Sequence, residues 1–334
     1  MTGLKDVAQY TGLSMSTVSR ALHNKTYVKE ATRKKVLEAV KALNYSPNVM
    51  AQSLKIGRSS TIALMIPSIQ NMIFPDIARG VEDTARKYGF MVILTNTDEH
   101  IAIEKDYISR LKTRLIDGFI IASMMPHSTH IMKLRNEQFP LVLTLRSYNR
   151  KIDAVVIDNK KAAYNAVAYL IERGHKKIAV ALGDTAVPLY ADRFQGYKDA
   201  LHDYGMSFDA ALVIGENQDV HSFYTLTKTM LNKGDIPDAI FAASDARAIV
   251  IMRAVYDAGY RVPDDISIIG FDNVDIATLV EPPLTTVAQP LYEIGVRAAE
   301  RLIYQIQYKE KHGVLEKPEI QVADTSLVVR KSTR

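Results

Sequence analysis

The tightest constraint on how this chain folds lies in residues 4–22, where two short amphipathic stretches are split by a three-residue turn. Leu4–Tyr10 predicts a first helix, Thr11-Gly12-Leu13 a turn, and Ser14–Leu22 a second helix. Small Ala8 lets the helices cross closely, Gly12 supplies the backbone freedom needed after a helix end, and Ser14 can cap the second helix. With Val18 and Leu22 turned inward, Met15, Ser16, Thr17, Ser19 and Arg20 face outward. A helix held out in this way fits the major groove of DNA. Arg20 is the candidate base contact, because a guanidinium can bridge guanine O6 and N7. Met15 and Ser16 can reach base edges or a thymine methyl. Ser14, Thr17 and Ser19 suit phosphate oxygens, which set register without reading sequence. Capping fits Ser14 equally well.

A third helix is expected over Glu30–Leu43, with Val36, Leu37, Val40 and Leu43 as its inward stripe and Lys34, Lys35 and Lys41 around the other side. Asn44 and Pro47 end it. The following segment, Asn48–Gly57, is too short to be a stable helix alone in water. It reads either as a helix formed on DNA, with Leu54 wedged between base steps, or as a plain linker. Charge agrees with a nucleic-acid role. Residues 1–58 hold ten Lys and Arg against three acids, a surplus of seven, while the whole chain is +5. The remaining residues therefore carry −2, and the basic surplus sits at one end, as a phosphate footprint would.

The run Lys5-Asp-Val-Ala, Gly12-Leu-Ser, Ser16-Thr-Val-Ser-Arg20, Thr32-Arg-Lys-Lys-Val, Leu43-Asn-Tyr-Ser-Pro-Asn48 and Ala51-Gln-Ser-Leu54 closely resembles the lactose/galactose-repressor (LacI/GalR) family. The resemblance covers essentially the whole chain. It implies base reading by Met15, Ser16 and Arg20, and phosphate contacts from Ser14, Thr17, Ser19, Tyr27, Thr32, Tyr45 and Asn48. Ala51 and Leu54 fall in the minor-groove segment, with Leu54 as its lever. Two positions depart from the family pattern: Gly3 replaces a Thr cap, and Lys29 replaces a Ser and is free to meet a phosphate itself.

From Ser60 on, short apolar strands alternate with amphipathic helices. Strands are expected at 62–66, 90–94, 118–122, 141–145, 155–157, 178–182, 239–242 and 266–270, and helices at 75–88, 160–172, 193–204, 246–258 and 291–309. Repeated βα order means parallel sheets, and a break near Asp158 divides the pattern into two lobes. Pro282–Pro290 reads as a return crossing between them. The expected fold is an all-α helix-turn-helix DNA-binding domain plus an α/β two-lobed core with parallel sheets, periplasmic-binding-protein-like by the resemblance. The domains would be 1–46 (helix-turn-helix), 47–58 (hinge helix and linker) and 59–334 (effector-binding and dimerisation core). Within that core, lobe one takes about 59–158 plus 290–320, and lobe two about 159–289 plus 321–334.

Ligands of such sheets sit beyond the carboxyl ends of strands. That singles out Phe74, Arg146, Arg193, Asn217, Ser244, Asp245 and Asp272 as effector contacts. By the resemblance, Arg193 clamps the ligand and Asp272 accepts its hydrogen bonds. Phe74 could stack on a sugar or base face. A structural role is the alternative for each, and for Phe74, Arg146, Asn217 and Ser244 it weighs about as much as ligand contact. Arg146 beside Arg193 would put two cations in the cleft and favour an acidic effector; pairing of Arg146 with a carboxylate such as Asp158 is the alternative. The stretch Asn71-Met-Ile-Phe74-Pro departs from the family's Asn-Pro-Phe-Phe, so effector identity does not transfer from relatives.

Several chemistries find no support. There is no cysteine, hence no disulfide or thiolate site, and no phosphate-cradling glycine loop or nucleophile elbow. His127-Ser-Thr-His130 has metal-ligand spacing but no evident carboxylate nearby, and reads as a loop or helix start. His175 reads as a helix-end residue facing terminal carbonyls. No catalytic, metal or cofactor site is expected, and no signal peptide or membrane span is visible. The expectation is a cytoplasmic, non-enzymatic, ligand-responsive transcriptional regulator, most simply a repressor of carbohydrate or sugar-acid genes. Its partners would be a palindromic operator in double-stranded DNA, a sugar-type effector and a second copy of itself. A protein co-regulator on the first lobe is compatible with the sequence. No leucine heptad follows the 326–330 strand, so a tail-built tetramer is not expected. A sugar-binding protein with no DNA role is the alternative, as is a repressor needing a purine-type corepressor.

Overall fold

The computed structural model describes residues 3–22, 28–45, 58–113, 116–123, 128–147, 151–215, 219–234 and 236–334. The chain separates into two compact units, 1–59 and 60–334.

The small unit is three helices, Leu4–Thr11, Met15–Leu22 and Glu30–Ala42. Gly12 takes a left-handed φ of 65° at the end of the first, as a tight turn requires. Val7, Ala8, Val18, Ala21, Val36 and Ala39 form the core, with Leu22, Val40, Leu43 and Tyr45 packed at its edge. Leu37 is not in the stripe expected of it: its side chain is 48 % exposed and Ala39 is buried instead. At a 3.6-residue period, 36, 39–40 and 43 share a face, and position 37 is a quarter-turn off it. The Gly3 start is less bare than its missing side chain suggests, because the Gly3 N–H donates to Asp6 Oδ2 at 2.7 Å. Lys29 makes no side-chain cap. Pro47 and the 48–57 segment lie outside the described residues.

The large unit holds two six-stranded sheets. The first has strands β1 (Thr61–Ile66), β2 (Met91–Asn96), β3 (Gly118–Ile121), β4 (Leu141–Thr144), β5 (Asp153–Ile157) and β11 (Ile320–Ala323), in the order β11-β5-β4-β3-β1-β2. The second has β6 (Ile178–Ala181), β7 (Val213–Ile214), β8 (Ala239–Ala242), β9 (Ser267–Asp272), β10 (Thr285–Ala288) and β12 (Ser326–Val328), in the order β12-β10-β9-β8-β6-β7. Among the described residues all strand pairings are parallel except β10 with β12. Central strands are buried on both faces, which is why they read as continuous apolar runs such as Thr61-Ile-Ala-Leu-Met-Ile66.

The chain passes between the sheets three times, after β5, after β10 and after β11. The return passage is shorter than the Pro282–Pro290 span expected, since Thr285–Ala288 is a strand of the second sheet and only Gln289 and Pro290 cross. The last passage also moves: Gln321–Ala323 pair with β5 in the first sheet, so these residues belong to lobe one. The helix expected at 193–204 begins at Pro188, where the proline occupies the first turn and costs no hydrogen bond.

Helix Phe74–Lys87 lies against Leu291–His312, the helix that re-enters the first lobe. Their approach requires glycine on both sides. A Cβ on Gly80 would sit 2.2 Å from the Tyr292 carbonyl oxygen, and one on Gly295 would sit 2.2 Å from that of Ile77. The buried Arg301 on the re-entering helix donates to Asp153 Oδ1 at 2.6 Å and to the Lys317 carbonyl at 2.8 Å, tying the segment before β11 to the start of β5.

Candidate functional site

In the small unit the outward residues gather as the spacing anticipates. Met15 is 52 % exposed, Ser14, Ser16 and Arg20 are exposed, and Thr17 and Ser19 are half-buried. Ser14 Oγ accepts from the Thr17 N–H at 3.2 Å and lies 2.8 Å from both Ser16 Oγ and Thr17 Oγ1. Ser14 thus caps the helix and joins a hydroxyl cluster at its positive end, where backbone N–H groups favour an anion. Lys29 is exposed, Thr32 half-buried, and Tyr45 packs on the core edge. Tyr27, Asn48, Ala51 and Leu54 lie outside the described residues.

The large unit has a cleft of about 410 Å³ between its lobes, at the carboxyl ends of both sheets. The first lobe contributes the turn after β1 (Ser68, Gln70, Asn71, Phe74) and Leu145 and Arg146 after β4. The second contributes Tyr190 and Arg193 after β6, His221 after β7, Ser244 and Arg247 after β8, and Asp272 at the end of β9. Asn159 and Gln289 line it from the first two passages between lobes. Two strand-end residues on the cleft wall, Leu145 (φ 63°) and Asp272 (φ 121°), hold left-handed backbone that side chains disfavour. Strain of that kind, worth about 1–3 kcal/mol, persists where surrounding structure enforces it, often at binding sites.

Arg193 and Asp272 are both buried, 4 % and 7 % exposed, with Nη1 3.9 Å from Oδ1. Arg193 Nε donates to Asn159 Oδ1 at 2.8 Å, its Nη1 donates to the Ala243 carbonyl at 2.6 Å, and its guanidinium lies on the Phe271 ring. Gln289 Nε2 donates to Asp272 Oδ1 at 2.6 Å. The pair is therefore tied to a residue from each of those two passages. Burial pushes the Asp272 carboxyl up to about 6 against the pull of Arg193, Gln289 and Arg247. Burial likewise draws Arg193 below its ordinary range, opposed by Asp272.

Three expectations change. Asp245 is fully buried and turned away from the cleft: its Oδ1 accepts from Thr286 Oγ1 at 2.5 Å and its Oδ2 from the Val274 N–H at 2.9 Å. Its carboxyl occupies the space beside Gly270, where a Cβ would fall 2.2 Å from Asp245 Oδ1. Burial and the neighbouring Asp272 push it up to about 7. Asp245 thus braces the loop that presents Asp272.

Arg146 does not add a second uncompensated cation. It donates from Nη1 and Nη2 to the two carboxylate oxygens of Glu99, at 2.9 and 2.7 Å. Asp158, the partner weighed for it, instead caps helix Asn159–Glu172 through the Lys161 N–H.

The third change concerns the histidines. His130, expected to lack a carboxylate, bonds through Nε2 to Glu104, a buried residue of helix Ile101–Lys112 that also accepts from Ser123 Oγ. Tertiary packing joins residues 26 apart in sequence. Among the described residues no three ligating side chains form a metal site. His175 is buried, and its ring faces Asp238 at 3.5 Å rather than helix carbonyls; the helix end is closed by its backbone N–H on Leu170.

Phe74 and Ser244 line the cleft as expected. Phe74 also packs in the first lobe's core, and Ser244 caps helix Asp245–Asp257. Asn217 and His127 lie outside the described residues. The sequence reading missed Arg247, Tyr190, Asn159 and Gln289. Tyr190 stands one helical turn before Arg193, and Arg247 one turn after the strand-end Ser244, so helical spacing could have found both.

Comparison with known proteins covers both units. Residues 3–48 match the model of bacterial regulatory proteins of the lacI family. Residues 59–323 match that of periplasmic binding proteins and the sugar-binding domain of the LacI family. The ribose operon repressor of Halalkalibacterium halodurans is 36 % identical over 335 residues, covering 100 % of this chain and 98 % of its own. The repressor CytR of Escherichia coli is 35 % identical, covering 99 % of this chain and 96 % of its own. Among solved structures, the lac repressor dimer bound to operator and the anti-inducer ONPF superposes with a TM-score of 0.88 at 28 % identity, over 99 % of both chains. Matched along both units, the chain belongs to the LacI family of bacterial regulatory proteins.

Proposed function

We propose that this protein is a transcriptional repressor that reads an approximately palindromic operator as a homodimer and responds to a small sugar-type effector. The observation that carries the reading is the joining, in one chain, of a helix-turn-helix with an exposed reading face to a two-lobed core with a polar cleft. Relatives named as repressors match along the full length, and the solved structures alike to it include a regulator–cellobiose complex and a regulator with bound ribose.

Bases would be read by Met15, Ser16 and Arg20, with Ser14, Thr17, Ser19, Tyr27, Lys29, Thr32, Tyr45 and Asn48 on phosphates and Ala51 and Leu54 at the minor groove. One module covers a half-site, so two copies are needed. In the cleft, Arg193 and Asp272 would hold adjacent ligand hydroxyls, with Phe74, Tyr190, Ser244 and Asn217 around them. Because Asn159 and Gln289 hold the clamp and also sit on passages between lobes, a ligand that pulls on the clamp biases the angle between lobes. That angle is the two-state element through which DNA affinity changes.

The chemistry is binding alone, with no reaction assigned to the cleft. No helix among the described residues is long and apolar enough to cross a membrane, and a cytoplasmic location follows from the DNA partner.

The test is selection of bound duplexes from a random pool. A paired, inverted half-site motif is expected, with affinity falling steeply with salt. Arg20→Ala should cost about 1–3 kcal/mol and relax specificity at one base pair of each half-site. Enrichment of no motif would defeat the reading.

A further inference from the structure

Three arginines line the cleft, and their surroundings differ. Arg146 is held by both oxygens of Glu99, and Arg193 faces Asp272. Arg247 is 7 % exposed, and among the described residues its side chain hydrogen-bonds to hydroxyls and to no carboxylate. Its two side-chain hydrogen bonds among the described residues both leave Nη1 and both end on neutral hydroxyls, Ser244 Oγ at 3.0 Å and Tyr190 Oη at 3.2 Å. Its Nε–H is buried with no acceptor among the described residues. The guanidinium lies 4.8 Å from the Tyr190 ring centre and 5.2 Å from that of Phe223, an environment that excludes water, and the carboxylate it acts on, Asp272, is shared with Arg193. Gln289 carries the complementary orphan: its Nε2 is spent on Asp272, and its buried Oε1 has no donor among the described residues.

Two buried cations that share one carboxylate are incompletely compensated, which is costly, and a buried acceptor without a donor is costly too. Both are relieved by one kind of molecule. We propose that Arg247 recognises an anionic group on the ligand, so that the cleft takes a polyhydroxylated compound bearing a carboxylate or phosphate, with its hydroxyls at Asp272 and Gln289. This deepens the effector reading and rests on it for the effect on DNA, although anion binding itself does not depend on that reading.

The full-length protein, Arg247→Met and Arg247→Lys would be melted in sodium chloride and in sodium phosphate of equal ionic strength. The basic N-terminal unit is the same in all three, so its own phosphate response cancels. In chloride, Arg247→Met should melt at or above the parent, because it removes an incompletely compensated buried charge and keeps the side-chain length. In phosphate the order should reverse, the parent gaining at least about 2 °C that the Met variant lacks, with Lys between. The same ranking is expected for gluconate and ribose 5-phosphate, with ribose and glucose shifting the parent less. A Met variant destabilised equally in both salts would show that Arg247 merely packs, and neutral sugars shifting the parent as far as the acids would likewise overturn the proposal. If the anion response follows Arg247 while none of these compounds alters operator affinity, the anion site stands and the effector reading of the cleft falls.

Discussion

The two walls of the cleft handle charge in opposite ways. On the first lobe, Arg146 is matched oxygen for nitrogen by Glu99, which is itself about two-fifths exposed, and the rest of the wall is the turn before Phe74. On the second lobe, Arg193, Arg247 and Asp272 are all buried, and cation and anion are not in balance. A settled wall contributes shape and a contact face. An unsettled wall stores unfavourable electrostatics that a ligand of the right chemistry relieves, so discrimination between ligands should reside in the second lobe.

The largest effect that can break this contrast is Arg193→Ala. It removes the bonds to Asn159 and Ala243 and leaves Asp272 with Gln289 and the more distant Arg247, a loss of about 3–5 kcal/mol by the usual cost of breaking a buried pair. Denaturant unfolding should show that drop, together with loss of ligand-induced stabilisation. A variant as stable as the parent would mean that the second wall is not held by its charges.

Next comes pH. Asp245 is raised to about 7 and Asp272 to about 6, above the ordinary carboxylate value of 3.8 in each case. A carboxyl whose folded value is raised stabilises most when protonated, below its unfolded value, and that contribution is lost as pH climbs through the folded one. The ligand-free core should therefore weaken as pH rises from about 4 to about 7. Asp245→Asn, which cannot ionise and keeps an acceptor for Thr286, should flatten that slope by an amount on the order of 2–4 kcal/mol. Parallel pH profiles for variant and parent would remove Asp245 from the account.

The smallest effect sharpens the contrast from the other side. Glu99→Gln should change stability by less than about 1 kcal/mol, as half-exposed ion pairs do. It would, however, remove the carboxylate that grips Arg146 on two nitrogens, and affinity for an acidic ligand should rise several-fold in calorimetric titration. No change there would place Arg146 outside the ligand's reach.

How much of this was readable beforehand depended on how local the determinants are. The reading face of the N-terminal unit comes from seven consecutive residues, 14–20, and its spacing survived intact. Strand-end logic placed Phe74, Arg146, Arg193, Ser244 and Asp272 on the cleft. Their partners were not readable. Glu99 lies 47 positions from Arg146, and Asp245 turns inward only because Gly270, on another strand, leaves room for its carboxyl. Arg247 was not singled out, although it stands one helical turn after the strand-end Ser244. Among elements, β10 was hidden by the prolines around it, and β7, only two residues long, has too little pattern to detect.

The glycine-to-glycine crossing of helices 74–87 and 291–312 has a consequence for how the protein is made. Tyr292 donates to Asp83 across 209 positions of chain, and the edge strand β11 arrives later still. A ribosome releasing this protein completes nearly all of the second lobe before the first can close its core. Until then the apolar face of helix 74–87 waits uncovered. Defects in the last fifty residues should therefore appear as aggregation of the lobe made first, with the N-terminal three-helix unit, complete from its own residues, already folded.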